Sequence, residues 1–516
     1  MADVAVNTKR AQRAAAGPYG KLGQSLNELD DRLGIAKGGR TFLDKIFPDH
    51  WSFMLGEIAL YSFVVLLATG IFLTLYYIPS QDLTTYTGSY LPLYGQKVTE
   101  AFASTVNLSF AVRAGLLMRQ MHHWSCDIFV GAIVLHMGRV FFTGAFRKPR
   151  ETNWVIGTTL LILAIVNGFL GYSLPDDLVS GTGIRIAYSI ILSIPVVGSY
   201  VAFFLFGGNF PGTSIIPRFF ILHVLIIPLV ILGLVGAHMA LLVRQKHTQF
   251  PGKGKTENNV VGTPMYPVFM AKTTGFMLVV SGAIALLGAF AQINPIWQFG
   301  PYTASRISYA VQPDWYMGFL DGALRIFPAW SFHSFGFTIP LEVTIPAVIF
   351  PGILFNLIMA WPAIERKLTG DNEFHNLLDR PSNRPKRTAA GVAVAVMCAM
   401  LFIASSTDVI ANFFHISLNT VLWAMRVLCV VTPVLAYPLT YKICREMQGF
   451  AGAGKRKTTN IVTRTVEGEY VATPAPAYVD DLAHEHEPEA LPVPTYVVDE
   501  EAVAASDTGG VRRVAR

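Results

Sequence analysis

Eight long apolar segments alternate with polar stretches along this chain. A helix that crosses a bilayer needs about 20 consecutive, mostly apolar residues. Segments that meet this length lie at 53–77, 118–143, 154–173, 218–243, 273–292, 342–361, 389–411 and 419–444. The pattern predicts an all-α membrane protein with eight transmembrane helices, referred to below as the first to the eighth span.

The polar stretches divide the chain into four regions. A basic N-terminal extension occupies residues 1–50, the first four spans lie in 51–250, and the last four lie in 251–446. Residues 447–516 form a tail that is rich in proline, alanine and acidic residues. The tail lacks apolar periodicity, so we expect it to stay disordered or to fold on a partner.

Composition supports lipid as the surroundings of most of the chain. Of the 516 residues, 52% are hydrophobic and only 14% are charged, against about 25% charged residues in a typical soluble domain. The net charge of +6 comes from basic clusters beside the spans. The basic balance therefore follows from membrane topology, and we infer no nucleic-acid partner.

The distribution of lysine and arginine predicts the orientation, because these residues concentrate in cytoplasmic loops. They cluster in the N-terminal extension and after the second, fourth, sixth and eighth spans, whereas the 412–418 connection has none. Both termini are therefore expected on the cytoplasmic side of the plasma membrane, which agrees with an even number of spans.

Four histidines lie inside the second and fourth spans. His122 and His136 are 14 residues apart, so both rings project from nearly the same helix face, roughly 21 Å apart along the axis. His223 and His238 are 15 residues apart, which is roughly 60° beyond four full turns. Because the two spans run in the same direction, we expect His122 to face His223 at the outer level and His136 to face His238 at the inner level.

Two imidazole pairs predict two haems. Neutral imidazole is a good axial ligand for iron, and a haem with two protein ligands transfers electrons because no position is open. The four cysteines show no CxxCH spacing, so the haems are expected to be non-covalent b haems. The adjacent His123 points to a different face, and we interpret it as an interfacial residue.

Glycines repeat the same spacing on the neighbouring spans. Gly56 and Gly70 in the first span are 14 residues apart, as are Gly157 and Gly171 in the third. Glycine allows a bulky group such as a macrocycle to approach the backbone. Small residues in membrane helices also serve helix packing, which is the alternative explanation.

Two arginines lie three residues from the histidines of the second span. Arg119 precedes His122, and Arg139 follows His136. Each is expected at a membrane surface, where the carboxylates of a haem need cationic partners. The alternative is an arginine that extends to the lipid headgroups without a specific partner.

A cluster of polar and aromatic residues follows the fifth span on the outer side. The tetrad Pro313-Asp314-Trp315-Tyr316 combines a carboxylate with two aromatic rings. Together with the outer segment 171–198, it could hold a flat ring and accept protons. An aromatic belt at the membrane interface is the alternative.

These motifs together resemble a known family. RQMH and LHMGR in the second span, RFFILH and GAH in the fourth, GYSLP, SIPVVG and PDWY resemble cytochrome b, the haem subunit of the quinol–cytochrome c reductases. The resemblance covers about residues 48–445. GYSLP and FASTVNLSF are similar to the shorter chloroplast-type chain, while the fused eight-span form, basic extension and acidic tail resemble the actinobacterial branch.

The resemblance implies a Q cycle. Quinol, which is menaquinol in the actinobacterial branch, would be oxidised at an outer site, and one electron would pass to a Rieske iron–sulfur protein. The other would cross through the two b haems to a quinone at an inner site, and the cycle would generate proton motive force. The resemblance also implies a c-type cytochrome subunit, a dimer and, in that branch, a supercomplex with a terminal cytochrome c oxidase.

The resemblance assigns roles at the outer quinol site. Gly183 matches a glycine that lines the pocket, Asp314 matches the acid that accepts a proton, and Tyr316 matches a tyrosine of the site. Pro313 and Trp315 complete the tetrad. The family usually has glutamate where this chain has the shorter Asp314, which changes the reach of proton transfer.

The inner quinone site departs further from the family. The Lys-Asp pair of the mitochondrial form becomes Lys272-Thr273, and its histidine position falls on Val243 beside Arg244. Lys272 and Arg244 are therefore the candidates for this site.

Two other functions remain open from the sequence. A di-haem anchor of a dehydrogenase with a single quinone site would also need paired histidines, but it would need neither four further spans nor the tetrad. A transporter could use the histidines as proton relays. It would be expected to show broken helices or an inverted repeat, and no clear repeat is evident in the sequence.

Overall fold

The computed structural model describes residues 42–448, except 209, 307, 309–311 and 335, and two strands near the C-terminus. The described residues up to 448 belong to one compact unit, and the two strands near the C-terminus belong to a second. In the second unit, Asn460–Arg464 pairs antiparallel with Tyr470–Pro474. No element was predicted there, although both segments contain β-branched residues that favour strands. Residues 1–41 and the rest of the tail, including its expected disorder, lie outside the described residues.

Eight helices in the described part of the chain are long and apolar enough to cross a membrane, which confirms the predicted fold class. Their boundaries differ from the predicted ones by at most eight residues, and the largest differences are at the start of the fifth span and the end of the sixth. The seventh ends earlier than predicted, and a short separate helix, Thr407–Phe413, follows it. The spans are Trp51–Thr74, Gly115–Phe142, Glu151–Ser173, Ile215–Gln245, Met265–Phe290, Leu341–Thr369, Pro385–Ala404 and Leu418–Met447.

Shorter elements lie in the connections, and the apolar pattern did not predict them because they are too short to span. The principal helices among them are Glu100–Phe110, Leu178–Leu192, Gly198–Phe206, Ile296–Phe299 and Gly318–Ile326. Three antiparallel pairs join Ile46–Phe47 to Thr263–Pro264, Leu83–Thr85 to Lys97–Thr99, and Ser331–Ser334 to Phe337–Pro340.

The largest apolar core lies among the first four spans. Phe63, Phe129, Trp154 and Ile231 come from four different spans and are buried in one cluster. Tyr316 of the PDWY tetrad belongs to the same cluster. The tetrad is therefore anchored in the four-helix bundle, although about 140 residues of chain separate it from the third span and about 170 from the second.

The fourth span contains one π-helical turn, Leu222–Ile226, which begins beside His223. There the Ile227 N–H donates to the Leu222 carbonyl, five residues back. Pro228 follows the turn, and proline cannot donate to an α-helical ladder. A π turn adds one residue to an α-helix. The 15-residue spacing of His223 and His238 therefore matches the 14-residue spacing on the second span.

Candidate functional site

The outer histidine pair spans the interior of the bundle. The ring centroids of His122 and His223 are 6.1 Å apart, with the ring planes at 79°. His122 Nδ1 lies 3.0 Å from Thr69 Oγ1, and His223 Nδ1 lies 2.9 Å from the Asn167 carbonyl oxygen. Bonds of this kind fix the ring and its tautomer in metal-binding histidines, and they leave Nε2 for the metal.

The inner pair has a similar ring spacing, although the Nδ1 atoms of both histidines are buried without a hydrogen-bond partner among the described residues. The ring centroids of His136 and His238 are 6.4 Å apart, with the planes at 72°. Metal–imidazole bonds are about 2 Å long, so two imidazoles on opposite sides of one metal have centroids about 6 Å apart. Both pairs have the donor chemistry and the spacing that fit a haem iron.

Each of the four predicted glycines packs against a different histidine ring. A Cβ at Gly171 would overlap the His223 ring, so even alanine would displace the imidazole. A side chain therefore has no room at Gly171, would be tight at Gly56 and Gly70, and would make an ordinary van der Waals contact at Gly157. For a Cβ at the other three positions the distances are 3.1 Å for Gly56 to His136, 3.3 Å for Gly70 to His122, and 3.7 Å for Gly157 to His238.

A cavity of about 270 Å³ adjoins the outer histidine pair. His122 and His223 line it on one side, and Asp314 and Tyr316 of the tetrad also line it. The cavity therefore connects the outer pair with the candidate quinol site, and its lining is mostly apolar.

Arg119 also lines this cavity and is buried. Its Nη2 donates to the Asn294 carbonyl oxygen at 2.8 Å. Its Nη1 is buried without a hydrogen-bond partner among the described residues. A buried guanidinium with an unpaired donor is costly, and an anionic group in the cavity would satisfy it. Arg119 therefore fits the expected role beside a haem carboxylate.

Arg139 occupies the corresponding place on the inner side. Its guanidinium lies 5.0 Å from the centroid of the Phe53 ring, and its Nε is buried without a partner in the described part of the chain. The neighbouring His247 ring is 4.3 Å from Phe53. Burial lowers the pKa of His247 to about 4, so this histidine is neutral at pH 7. An anionic group beside Arg139 would balance its charge.

Both carboxylate oxygens of Asp314 are hydrogen-bonded. Tyr316 OH donates to Oδ2 at 2.9 Å, and His123 Nε2 lies 2.8 Å from Oδ1. His123 is thus a partner of the tetrad, and our interpretation of it as an interfacial residue is wrong. Because His123 directly follows His122, its side chain lies on a different face of the helix, and this face contacts the tetrad.

Asp127 extends this polar cluster. Ligand atoms of His123, Asp127 and Asp314 lie within 4.8 Å of one another, and among the described residues no other group has this arrangement. Asp127 Oδ1 is buried without a partner in the described structure. Imidazole and carboxylate ligands suit divalent metals such as zinc. These three side chains therefore have the donor types and the mutual distances of a metal site.

The other predicted residues of the quinol site lie farther from the cavity. Gly183 lies on the helix Leu178–Leu192, and a Cβ at this position would meet Phe169 Cε2 at 3.9 Å. Trp315 is 39% exposed, and its ring lies against Gly131 of the second span. Neither they nor Pro313 line the cavity.

Two buried aspartates, Asp176 and Asp177, follow the GYSLP segment. The Asp177 carboxylate accepts hydrogen bonds from the N–H groups of Val179 and Ser180 and caps the helix Leu178–Leu192. Asp176 is only 3% exposed. Burial is the main reason that the pKa of Asp176 is raised to about 7, and the nearby Asp177 charge raises it further.

This raised pKa predicts a pH-dependent stability. The ordinary pKa is 3.8, so the folded state binds the Asp176 proton more tightly than the unfolded state does. The free energy of unfolding should fall as the pH rises from about 4 to about 7, by about 1.4 kcal/mol for each pH unit. Asp176→Asn should therefore raise the thermal midpoint at pH 8 more than at pH 5. An equal change at both pH values would contradict this assignment.

The inner candidates have separate surroundings. Lys272 forms an ion pair with Asp49, and both side chains are about half exposed, at 53% and 59%. Arg244 is exposed near the end of the fourth span. Close to Lys272 lies a hydrogen-bonded cluster of Glu57 and Thr273 with a tyrosine of the first span. In the sequence, Thr273 is notable only because it differs from the aspartate of the mitochondrial Lys-Asp pair, and its contact with Glu57 was not predicted.

Comparisons with known proteins agree with this arrangement. A sequence model of the family described as cytochrome b (N-terminal)/b6/petB matches residues 127–301. The structure also resembles a chain of a hyperthermophilic respiratory complex III, with a TM-score of 0.58 and 20% identity, over 80% of this chain and all of that one. At this identity the similarity concerns the fold.

Curated relatives match over most of their length. The cytochrome b subunit of the cytochrome bc1 complex of Streptomyces coelicolor is 47% identical, covering 93% of this chain and 89% of the relative. The corresponding subunit of Corynebacterium diphtheriae is 49% identical over 83% and 79%, and that of Mycobacterium leprae is 48% identical over 90% and 84%. The chain therefore belongs to the family of cytochrome b subunits of the cytochrome bc1 complex, the quinol–cytochrome c oxidoreductase.

Proposed function

We propose that this chain is a di-haem subunit that oxidises quinol at an outer site and passes an electron across the membrane to quinone at an inner site. The observation that carries the proposal is the pair of matched histidine sites, with centroid distances of 6.1 and 6.4 Å and one glycine against each ring. Two b haems, when bound, supply a one-electron path between the two sides.

The residues of the bundle have distinct tasks in this proposal. His122 and His223 hold the outer haem, and His136 and His238 hold the inner one. Arg119 and Arg139, each with an unpaired buried nitrogen among the described residues, bind the haem carboxylates. Gly56, Gly70, Gly157 and Gly171 keep the space beside the rings clear of side chains.

At the outer site, Asp314 is the base that accepts a proton from the quinol hydroxyl. Tyr316 and His123 hold its carboxylate at the edge of the cavity. The quinol head occupies the side of the cavity near the tetrad, and Gly183, Pro313 and Trp315 form the surroundings through which it enters. One electron leaves to a Rieske iron–sulfur partner, and protons are released on the outer side.

The cellular setting follows from the same proposal. The chain lies in the plasma membrane with both termini in the cytoplasm, and proton release outside contributes to proton motive force. The relatives come from actinobacteria, which favours menaquinol as the donor. The partners are a Rieske protein, a c-type cytochrome subunit, a second copy of the complex and a terminal cytochrome c oxidase.

A di-haem anchor of a dehydrogenase is the alternative. Tyr316 packs in the core of the four-helix bundle, and Asp314 bonds directly to the residue that follows an outer histidine. A simple anchor has no need for such a link between the later spans and the outer histidine level. These contacts favour the proposed quinol oxidase over the anchor.

Purification of the tagged chain from its native membrane tests the proposal. We expect the Rieske signal in an electron paramagnetic resonance spectrum, c-type haem, and oxidation of a menaquinol analogue coupled to reduction of the c haem. A preparation that contains a dehydrogenase subunit and no Rieske centre would contradict the proposal and support the anchor.

The contact of His123 with Asp314 predicts a positioning role. His123→Leu removes one hydrogen bond to the carboxylate, worth about 1.4 kcal/mol, so kcat for quinol oxidation should fall about tenfold with little change in KM. His123→Gln retains a donor at the same reach and should recover most of the rate. Both b haems should be present in each variant. A glutamine variant no faster than the leucine variant would exclude this role.

A further inference from the structure

A carboxylate faces the fifth span from the first turns of the first span. Glu57 lies at the inner end of the first span and is partly buried. Its Oε2 accepts a hydrogen bond from Thr273 Oγ1 at 2.9 Å and one from Tyr61 OH at 3.2 Å. The two hydroxyl groups also contact each other. Ionisable groups within membrane spans are costly and generally mark function.

This cluster lies at the level of the inner histidine pair. Gly56, the residue before Glu57, packs against the His136 ring. One step along a helix rotates the side chain by about 100°, so Glu57 points away from the histidines and towards the fifth span. The cluster is thus next to the inner haem position without being part of it.

The surroundings suit a lipophilic ring with polar ends. Tyr61 is only 7% exposed and belongs to an apolar cluster with Val280 and Ile284 of the fifth span. Leu278 and Val279 of that span are 64% and 66% exposed on the face that lipid would cover. A quinone with an isoprenoid tail could therefore reach the cluster from the bilayer.

Water has access from the other direction. Lys272, which precedes Thr273, forms an ion pair with Asp49, just before the first span. Both side chains are more than half exposed, as expected at the aqueous boundary on the inner side. The cluster therefore lies between the inner aqueous phase and the apolar interior of the bundle.

We propose that Glu57 is the proton donor of the inner quinone site, with Tyr61 and Thr273 as the residues that position its carboxyl group. This role deepens the proposed function and rests on it. Lys272, the candidate from the sequence, would belong to the aqueous entrance, and Arg244 would lie outside the site.

The proton and electron balance is complete in this arrangement. Reduction of quinone to quinol takes two electrons, which the inner haem, held by His136 and His238, would supply one at a time from quinol oxidised outside, and two protons. In each of two transfers, the O–H bond of protonated Glu57 breaks as an O–H bond forms on a quinone oxygen. The inner aqueous phase then protonates the carboxylate again, and the product is quinol.

Reduction of the b haems through the inner site alone tests this role. In an Asp314→Asn complex the outer route is slowed by about 10²–10⁴-fold, so a short-chain menaquinol analogue reduces the haems mainly by reversing the inner reaction. Adding Glu57→Gln should slow this reduction by ~100-fold, within the usual contribution of a general acid or base. Quinone retained after purification, measured by mass spectrometry, should also decrease.

Matched variants keep the test decisive. Glu151→Gln removes a first-turn carboxylate of the third span, which pairs with Arg366, and should change neither rate nor quinone content. Thr273→Val is the second test variant, for use if the Glu57→Gln complex does not assemble. It removes one hydrogen bond to Glu57 and should also slow haem reduction through the inner site. An inner-route rate unaffected by both variants would overturn the role of Glu57. If quinol reduces the haems of the wild-type complex by neither route, the proposed function is wrong, and the role of Glu57 is wrong with it.

Discussion

Replacing His136 with alanine is expected to reduce the haem content from two b haems per chain to one. The inner histidines are 6.4 Å apart at their centroids, a distance that suits one iron between them. Alanine offers no ligand, and a single remaining imidazole would have to hold a buried macrocycle against an unfilled coordination position. Without the inner haem, the electron path across the membrane is interrupted, so turnover with quinol should fall to background.

The measurement is a pyridine haemochrome assay together with a reduced-minus-oxidised spectrum of the purified complex. His375→Ala is the matched control, since His375 is an inner-side histidine whose ring pairs with Asp371. It should retain both haems. Two haems in the His136→Ala variant would show that the inner pair does not hold a haem.

Asp314→Asn is expected to slow quinol oxidation by about 10²–10⁴-fold while leaving both haems in place. Asparagine retains the shape of the side chain and can still bond to Tyr316 and His123, but it cannot accept a proton from quinol. The effect should appear in the rate of outer haem reduction by a menaquinol analogue after rapid mixing.

Two variants serve as controls for Asp314→Asn. Asp314→Glu restores the acid that the family usually carries and should retain a large part of the rate. Asp321→Asn removes a nearby carboxylate that pairs with Arg325 and should have little effect. A rate in Asp314→Asn close to that of the wild type, or loss of a haem band in that variant, would contradict the assigned role.

Much of the bundle could be predicted because membrane spans follow simple rules of length, apolarity and period. The four histidines and four glycines have a common spacing, and the structure brings each glycine against one histidine ring. The interval between His223 and His238 on the fourth span is one residue longer than the other three. Its explanation is the π turn before Pro228, and sequence periodicity alone does not reveal such a turn.

The contacts that define the outer site depend on long-range packing, which a single sequence does not encode in any local pattern. His123 and Asp314 are 191 residues apart, and their bond forms because the connection after the fifth span folds back onto the second span. The same reason applies to Glu57 and Thr273, which are 216 residues apart. The sequence gives only a local signal for these residues. His123 is a polar residue next to the assigned His122, and Glu57 is a polar residue inside an apolar span.

The most direct test of the account is the number and type of haems in the wild-type complex. We expect two non-covalent b haems per copy of this chain, with distinct midpoint potentials because one lies near each side of the membrane. A well-folded complex in which this chain carries no b haem, or a single one, would contradict the central claim that the four histidines form two haem sites.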